Sequence, residues 1–441
     1  MSRKRGIPAI AGLLLCVLFL ASVCRAQQQQ RLSKDDQFLI AGMLRQAHDE
    51  VKKNYYDPKL QGLDWDARYR QYSAQVGTAP NLGEGFRLVA AFLGGLKDSH
   101  TFFEPPIRGA WFDAGYHFEL VGNDCIITRI RPGTDAESKL HIGDQILTLN
   151  GFGVDRGDFH DLFYFFNVLA PQASVQLNLR SPSGEERQVV VNSLVKPHKK
   201  IIDLTNESDY TDLLHRIDKT DLMTRPRTAE NGDIIIWQLP QFDLDIGRIE
   251  TTIGAARKHK TLVLDLRGNP GGSVDTLKWV VGSLFDHDVK ICDRVGRKDN
   301  KPEIAKRHGT PFTGKLIVLV DSGSGSAAEL LARVVQLEHR GTVMGDKSAG
   351  AVMESRYYSE SQGANGEVMY GFSVTDANLI MSDGKSLEKT GVTPDELLLP
   401  SAADLAAGRD PVLAHAAELA GVKLDPEAAG KLFPFEWPPL L

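Results

Sequence analysis

The sequence predicts a multidomain α+β protein, with an N-terminal helical domain, a β-rich domain, an α/β core and a short helical C-terminal tail. Three observations predict it. The 441 residues exceed one ordinary domain, and 42% hydrophobic with 24% charged positions is globular composition, which excludes disordered, collagenous and disulfide-scaffold chains. Apolar residues recur at helical steps early in the chain and in short strand-like runs in the middle, and strands alternate with helices in the last large part. That part also holds two Gly-rich strand-to-helix crossings, the place where an α/β sheet builds its site. The expected parts are a signal peptide (1–26), the helical domain (33–104), the β-rich domain (109–195), the α/β core (200–400) and the tail (401–441).

Residues 1–26 carry Arg3, Lys4, Arg5 and Arg25 and no acid, around an apolar run at 9–23. This is the layout of a secretory signal peptide cut after Ala26. The run is shorter than the roughly 20 apolar residues of a membrane span. Bulky Val23 argues against a lipoprotein anchor on Cys24. Export to a periplasm or out of the cell is expected, with membrane tethering left open. Without these residues the formal charge moves from −6 to −10, so nucleic acid is not an expected partner. Cys16 and Cys24 leave with the signal, and whether Cys125 and Cys292 bond is open.

Ser33-Lys-Asp-Asp36 resembles a capping box and opens a helix with Ile40, Leu44, Ala47, Val51 and Tyr55 on one face. Phe86, Val89, Leu93 and Leu96 mark a second helical stretch. A turn at Asp57-Pro58 and a loop around Asp64-Trp65 close the domain, and the apolar stripe is core packing. Next, strands are expected at 125–130, 145–149, 175–179 and 188–191, the last two around a Pro182-Ser183-Gly184 turn. The core reads as strand 234–239, helix 246–258, strand 261–266, helix 275–285, strand 316–320 and helix 327–337. In the tail, Ala/Leu-rich 412–420 precedes Phe433-Pro-Phe-Glu-Trp-Pro-Pro and is expected to pack as a helical cap, with contact to a partner subunit left open.

The crossings are Arg267-Gly-Asn-Pro-Gly-Gly272 and Asp321-Ser-Gly-Ser-Gly-Ser326. Neither has the G-x-G-x-x-G order or a closing Lys-Ser/Thr pair, which argues against nucleotide. Gly271 and Gly272 let a carbonyl approach backbone amides, as an oxyanion needs. Ser326 is presented at a helix N-terminus, where negative charge is favoured. Yet Ser326-Ala-Ala-Glu329 is equally a capping box, and no G-x-S-x-G marks a nucleophile. There is no H-E-x-x-H, and Asp243 and Asp245 read as a helix start, so neither metal nor cofactor is expected.

Leu140-His-Ile-Gly143-Asp144-Gln-Ile146-Leu147-Thr-Leu149-Asn150-Gly151 resembles the G-D-x-I-L-x-x-N-G signature of PDZ domains. That resemblance makes Gly115, Tyr116, His117 and Phe118 the loop holding a peptide's terminal carboxylate, with an extended peptide added to a sheet edge. The order of helical domain, PDZ-like module, Asp265-Leu-Arg-Gly-Asn-Pro-Gly-Gly272, Ser324-Gly-Ser-Ala-Ala-Glu329 and Gly391-Val-Thr-Pro-Asp395 resembles the C-terminal processing (tail-specific) serine peptidases and their tricorn-core relatives. It implies a crotonase-like ββα peptidase core with Ser326, rather than Ser322 or Ser324, as nucleophile. The processing branch takes its base from a lysine in G-E-x-T-x-G-K-G, and Gly345-Asp-Lys-Ser-Ala-Gly-Ala351 has alanine there. Lys347, four residues earlier, is roughly 13 Å displaced along an extended chain.

The tricorn-like branch instead uses a histidine preceded by serine, and a glutamate before G-V-x-P-D, matched by Ser99-His100 and Glu388. The resemblance implies His100 as general base and then acid, Ser99 and Glu388 orienting it, and an oxyanion hole from Gly271 or Gly272 with Ala327. Histidine suits this work because its ordinary pKa is about 6.5. The implied protein is an exported serine endopeptidase acting on flexible peptides or protein tails, with the PDZ-like module recruiting or gating substrate. The alternative is an inactive peptidase fold that binds peptides or ligands. Oligomeric state, an oligomer included, is left open.

Overall fold

The structure, a computed structural model, describes residues 32–107, 109–197, 224–362 and 368–438. The expected signal peptide, the start of the expected core at 200–223 and the end of the tail at 439–441 lie outside the described residues. The chain is mixed α+β, with a helical N-terminal region and a sheet-rich core.

Helix α1 (Lys34–Asn54) starts where Ser33 Oγ accepts from the Asp36 N–H and the Asp36 carboxylate reaches back to the Ser33 N–H. It buries Ile40, Leu44, Ala47 and Val51 against α2 (Trp65–Val76) and α3 (Leu82–Leu93). The loop expected around Asp64-Trp65 is in fact the start of α2. Asp64 caps it by accepting from the Ala67 N–H, and buried Trp65 donates its indole N–H to the His48 carbonyl. A polar sequence with few buried positions gives no helical stripe, so packing of one large aromatic ring decides this segment. After α3, Lys97 adopts a left-handed φ of 57° and turns the chain into the 98–101 loop and strand β1 (Phe102–Glu104).

The middle of the chain contains β2 (Ala110–Asp113), β3 (Tyr116–Val121), β4 (Asp124–Ile130), β5 (Gln145–Leu149), β6 (Phe152–Gly153), α4 (Phe159–Tyr164), β7 (Ser174–Arg180), β8 (Glu186–Asn192) and β9 (Leu194–Pro197). An antiparallel sheet runs β3-β4-β5-β7-β8, with β6 on β5, leaving β3 at an edge. Val175, Leu177 and Leu179 alternate inward on β7, the period of a one-face-buried strand. Strands β2 and β9 pair as a ribbon at the module's entry and exit.

The remaining elements are β10 (Arg227–Asn231), β11 (Ile234–Gln238), α5 (Ile246–Ala256), β12 (Thr261–Asp265), α6 (Val274–Gly282), β13 (Val289–Gly296), β14 (Asn300–Ala305), β15 (Lys315–Val320), α7 (Ala327–Leu337), β16 (Thr342–Gly345), β17 (Met353–Gln362), β18 (Val368–Ile380), β19 (Glu396–Leu397), α8 (Ala402–Ala406), α9 (Pro411–Leu419) and α10 (Pro426–Gly430). One sheet runs β10-β11-β12-β15-β16-β19 and is parallel from β11 onward. Every residue of β12 is buried because α5, α6 and α7 cover one face and α9 and α10 the other. Strands β12 and β15 are neighbours, so their two Gly-rich loops emerge side by side.

A second, antiparallel sheet, β1-β18-β13-β14 with β17 on β18, has no counterpart in the expected element list. It joins the helical region to the core, since Phe103 of β1 stacks on Phe372 of β18 at 5.5 Å. Cys125 and Cys292 are both free and buried, the first in the β-rich module and the second in the α/β core.

Candidate active site

Three serines occupy the loop after β15, and their hydroxyls differ. Ser322 donates to the Leu120 carbonyl, and Ser324 donates to the Leu266 carbonyl. Both are buried and engaged, whereas half-buried Ser326 stands where strand turns into helix α7. Its backbone is at φ 50° and ψ −114°, a strained region for a residue with a side chain. Such strained strand-to-helix turns are how G-x-S-x-G loops present a nucleophile, although this sequence lacks that motif.

The strain is held by Glu329. Its buried carboxylate accepts from the Ser326, Gly350 and Ala351 N–H groups and from Ser348 Oγ. Burial pushes its pKa up and these four donors pull it down, with burial prevailing. The Ser326 N–H also donates to the Ala351 carbonyl at 2.9 Å. Ala351, where the processing branch would have lysine, therefore serves this loop through its backbone. Lys347 has its carbonyl bonded by Arg156.

The Gly271–Gly272 turn lies directly on Ser326. A Cβ at Gly271 would come within 2.6 Å of Ser326 Cβ, and both glycines have positive φ, at 106° and 140°. Buried Asn269 knits the loops together. Its Oδ1 accepts from the Gly271 N–H, its Nδ2 donates to the Leu239 carbonyl, and its own carbonyl accepts from the Gly325 N–H. The Gly271 amide is thus already engaged. Ala327 is the first residue of its helix, so its N–H has no intrahelical partner.

The second half of the site comes from the helical region. Ser99 Oγ donates to Glu388 Oε2 at 2.8 Å and lies 2.7 Å from His100 Nδ1. Its single proton goes to the carboxylate, so Nδ1 must be the donor to Ser99 Oγ, and Nε2 carries the lone pair. Burial lowers the His100 pKa, while nearby Asp98 raises it. Glu388 also accepts from the Ser99 and Val352 N–H groups, and burial raises its pKa against those bonds.

Asp98 braces the loop, accepting from the His100 and Thr101 N–H groups, Tyr55 Oη and Thr375 Oγ1. The sequence offered Tyr55 only as part of a core stripe and gave no sign of Thr375. The structure brings Ser99, His100 and Glu388 into one chain of hydrogen bonds. Segment 350–352 links that chain to Ser326, through the Ala351 carbonyl on one side and the Val352 N–H on the other. No hydrogen bond joins His100 to Ser326 directly.

The four module residues lie apart from this cluster. The Gly115 N–H donates to Asp113, and its carbonyl accepts from the Arg131 N–H. Tyr116, His117 and Phe118 are on edge strand β3. Phe118 packs against Phe159 and Phe163 of α4, leaving a cavity of about 10 Å³ between strand and helix. The module touches the nucleophile loop through the Leu120 carbonyl. It touches the next loop through Arg156, which pairs with Asp346 at 2.6 Å.

Residues 233–398 match the family Peptidase family S41, and residues 40–94 match the Tricorn protease C1 domain. The chain is 21% identical over 362 residues to carboxyl-terminal-processing peptidase 3, chloroplastic, of Arabidopsis thaliana, covering 78% of this chain and 66% of that protein. It is 24% identical over 323 residues to the tail-specific protease of Haemophilus influenzae, covering 68% of this chain and 43% of that protein. The chain therefore spans less than two thirds of the length of both relatives. The crystal structure of mature CPAF shares the fold with a TM-score of 0.62 at 16% identity, over 83% of this chain and 94% of that one.

Proposed function

From a chain whose residues 233–398 match peptidase family S41, whose C-terminal processing members are serine-type hydrolases, we propose an exported serine endopeptidase acting on flexible peptides or protein C-terminal tails. The observation that carries the reading is the strained backbone of Ser326 against the Gly271–Gly272 turn, with a histidine of fixed tautomer tied to the same segment. Ser326 is the nucleophile and His100 the base. Nε2 takes the Oγ proton as Oγ bonds to the scissile carbonyl carbon, whose C=O pair moves onto oxygen. The Gly272 and Ala327 amides receive that oxyanion, because the Gly271 amide is committed to Asn269.

As the oxyanion collapses, the C–N bond breaks and the imidazolium returns its proton to the leaving amine. Water then attacks the acyl-enzyme through the same base. Ser99 relays the Glu388 charge to Nδ1 and stabilises the imidazolium. The β-rich module is read as PDZ-like, with edge strand β3 and the Gly115–Phe118 stretch facing substrate. The domain parts at 33–104, 109–195, 200–400 and 401–441 are part of this reading.

Ser326→Ala tests it. Hydrolysis of an unfolded protein should fall by at least about 10³-fold with the thermal transition unchanged. Undiminished hydrolysis by the folded variant would reject the assignment. An inactive binder would show no hydrolysis in either protein.

A further inference from the structure

The C-terminal segment after α10 lies against the β-rich module, and its side chains alternate in partner. Phe433 packs on the face of the α/β sheet covered by α9 and α10, and the Arg227 guanidinium is 5.5 Å from its ring. The rings of Phe435 and Trp437 lie under the guanidinium groups of Arg129 and Arg131, at 4.3 and 4.5 Å. His117 meets both rings, with centroids 5.5 and 4.9 Å away. Between the two aromatics, Glu436 turns to Arg225, 3.9 Å away. The backbone is held as well, since Arg227 Nη1 donates to the Pro434 carbonyl and buried Arg131 Nη1 to the Pro438 carbonyl.

These receptor groups share one face of the β3–β4 hairpin. His117 and Arg129 are cross-strand partners, and Arg131 follows two residues later, just past the end of β4 with its N–H on the Gly115 carbonyl, so all three meet the same pair of rings. A bulge between His117 and Phe118 separates this ladder from Phe118, which packs against α4. Each guanidinium is held over a ring face, where the ring's quadrupole attracts a cation, and the prolines on either side reduce the freedom the segment loses on docking.

We propose that this face of the β3–β4 hairpin is a recognition site for an extended segment with aromatic residues at alternate positions, and that residues 433–438 fill it in cis as a strap holding the β-rich module to the α/β core. The strap begins on the core at Phe433 and Arg227 and ends on the module at Arg131, so one short segment bridges the two bodies. The site is distinct from the β3 edge and the α4-facing side of Phe118, and it does not depend on the chain being a peptidase.

The test is hydrogen exchange of the full chain and of the double variant Phe435→Ala/Trp437→Ala, which leaves Phe433 and its core packing intact. The expected result is at least tenfold faster exchange over residues 115–131, with the β11, β12 and β15 amides unchanged. A synthetic peptide Phe-Pro-Phe-Glu-Trp-Pro-Pro added to the variant should restore the slow exchange. Its Ala-for-Phe435 and Ala-for-Trp437 analogue should not. Unchanged exchange over 115–131 in the variant would overturn the proposal, as would faster exchange that the aromatic peptide fails to reverse.

Discussion

At the scale of single residues, Glu329 does more than cap a helix. In the sequence it is the last position of Ser-Ala-Ala-Glu, a pattern shared by many helix starts. The structure adds three donors from segment 348–351, which is remote in sequence and so invisible to a local pattern. Replacing Glu329 with Gln leaves one oxygen for donors that now use two, and sets an amide NH2 against backbone N–H groups. The expected cost is about 2–4 kcal/mol in urea unfolding, with hydrolysis lowered as Ser326 loses its hold. Stability equal to the parent would show that the four bonds contribute little.

The same contrast applies to the loop serines. Sequence ranked Ser326 above Ser322 and Ser324 only by resemblance, and the structure gives a physical difference, because the latter two hydroxyls are donated to backbone carbonyls. Of the two candidate oxyanion glycines, Asn269 removes Gly271, through a side-chain bond that no motif records.

At the scale of elements, strands with strong period or full burial were legible. The expected strand at 145–149 and helix at 327–337 coincide with β5 and α7. The second sheet has no counterpart in the expected elements although β18 carries a period-two signal, Tyr370, Phe372 and Val374 alternating with Gly371, Ser373 and Thr375; what no local pattern shows is its pairing with β1 and β13, which are distant in sequence. Its partner β1 has only three residues. Helix α2 was hidden because it is polar around a few buried positions.

One contact between elements bears on the proposed function. Arg156 of the β-rich module bonds the Asp346 carboxylate, the Lys347 carbonyl and the Gly122 carbonyl, tying the module to the loop that leads to Ser348 and Glu329. Arg156→Ala should lower kcat/KM several-fold on a long unfolded protein and less on a short peptide that does not need the module. Equal losses on both substrates would mean that the pair serves the core alone.

At the scale of the whole molecule, His100 and Ser326 are 226 residues apart, and the proposed catalysis requires the helical region to pack on the core. The packing runs through β1 on β18 and through Asp98, which receives Tyr55 from α1 and Thr375 from β18. A resemblance in motif order pointed to the packing of these distant segments, and no local period could have. The most direct measurement of the central claim is the rate at which a fluorophosphonate labels Ser326, followed by peptide mapping across pH in the parent and in His100→Ala. Burial holds the His100 pKa below its ordinary value of about 6.5, so the base is neutral at pH 7 and labelling should fall only as pH drops below that value. The account predicts a single adduct on Ser326 with that acid limb, and loss of labelling in His100→Ala. An adduct on another serine, or a labelling rate indifferent to His100, would contradict it.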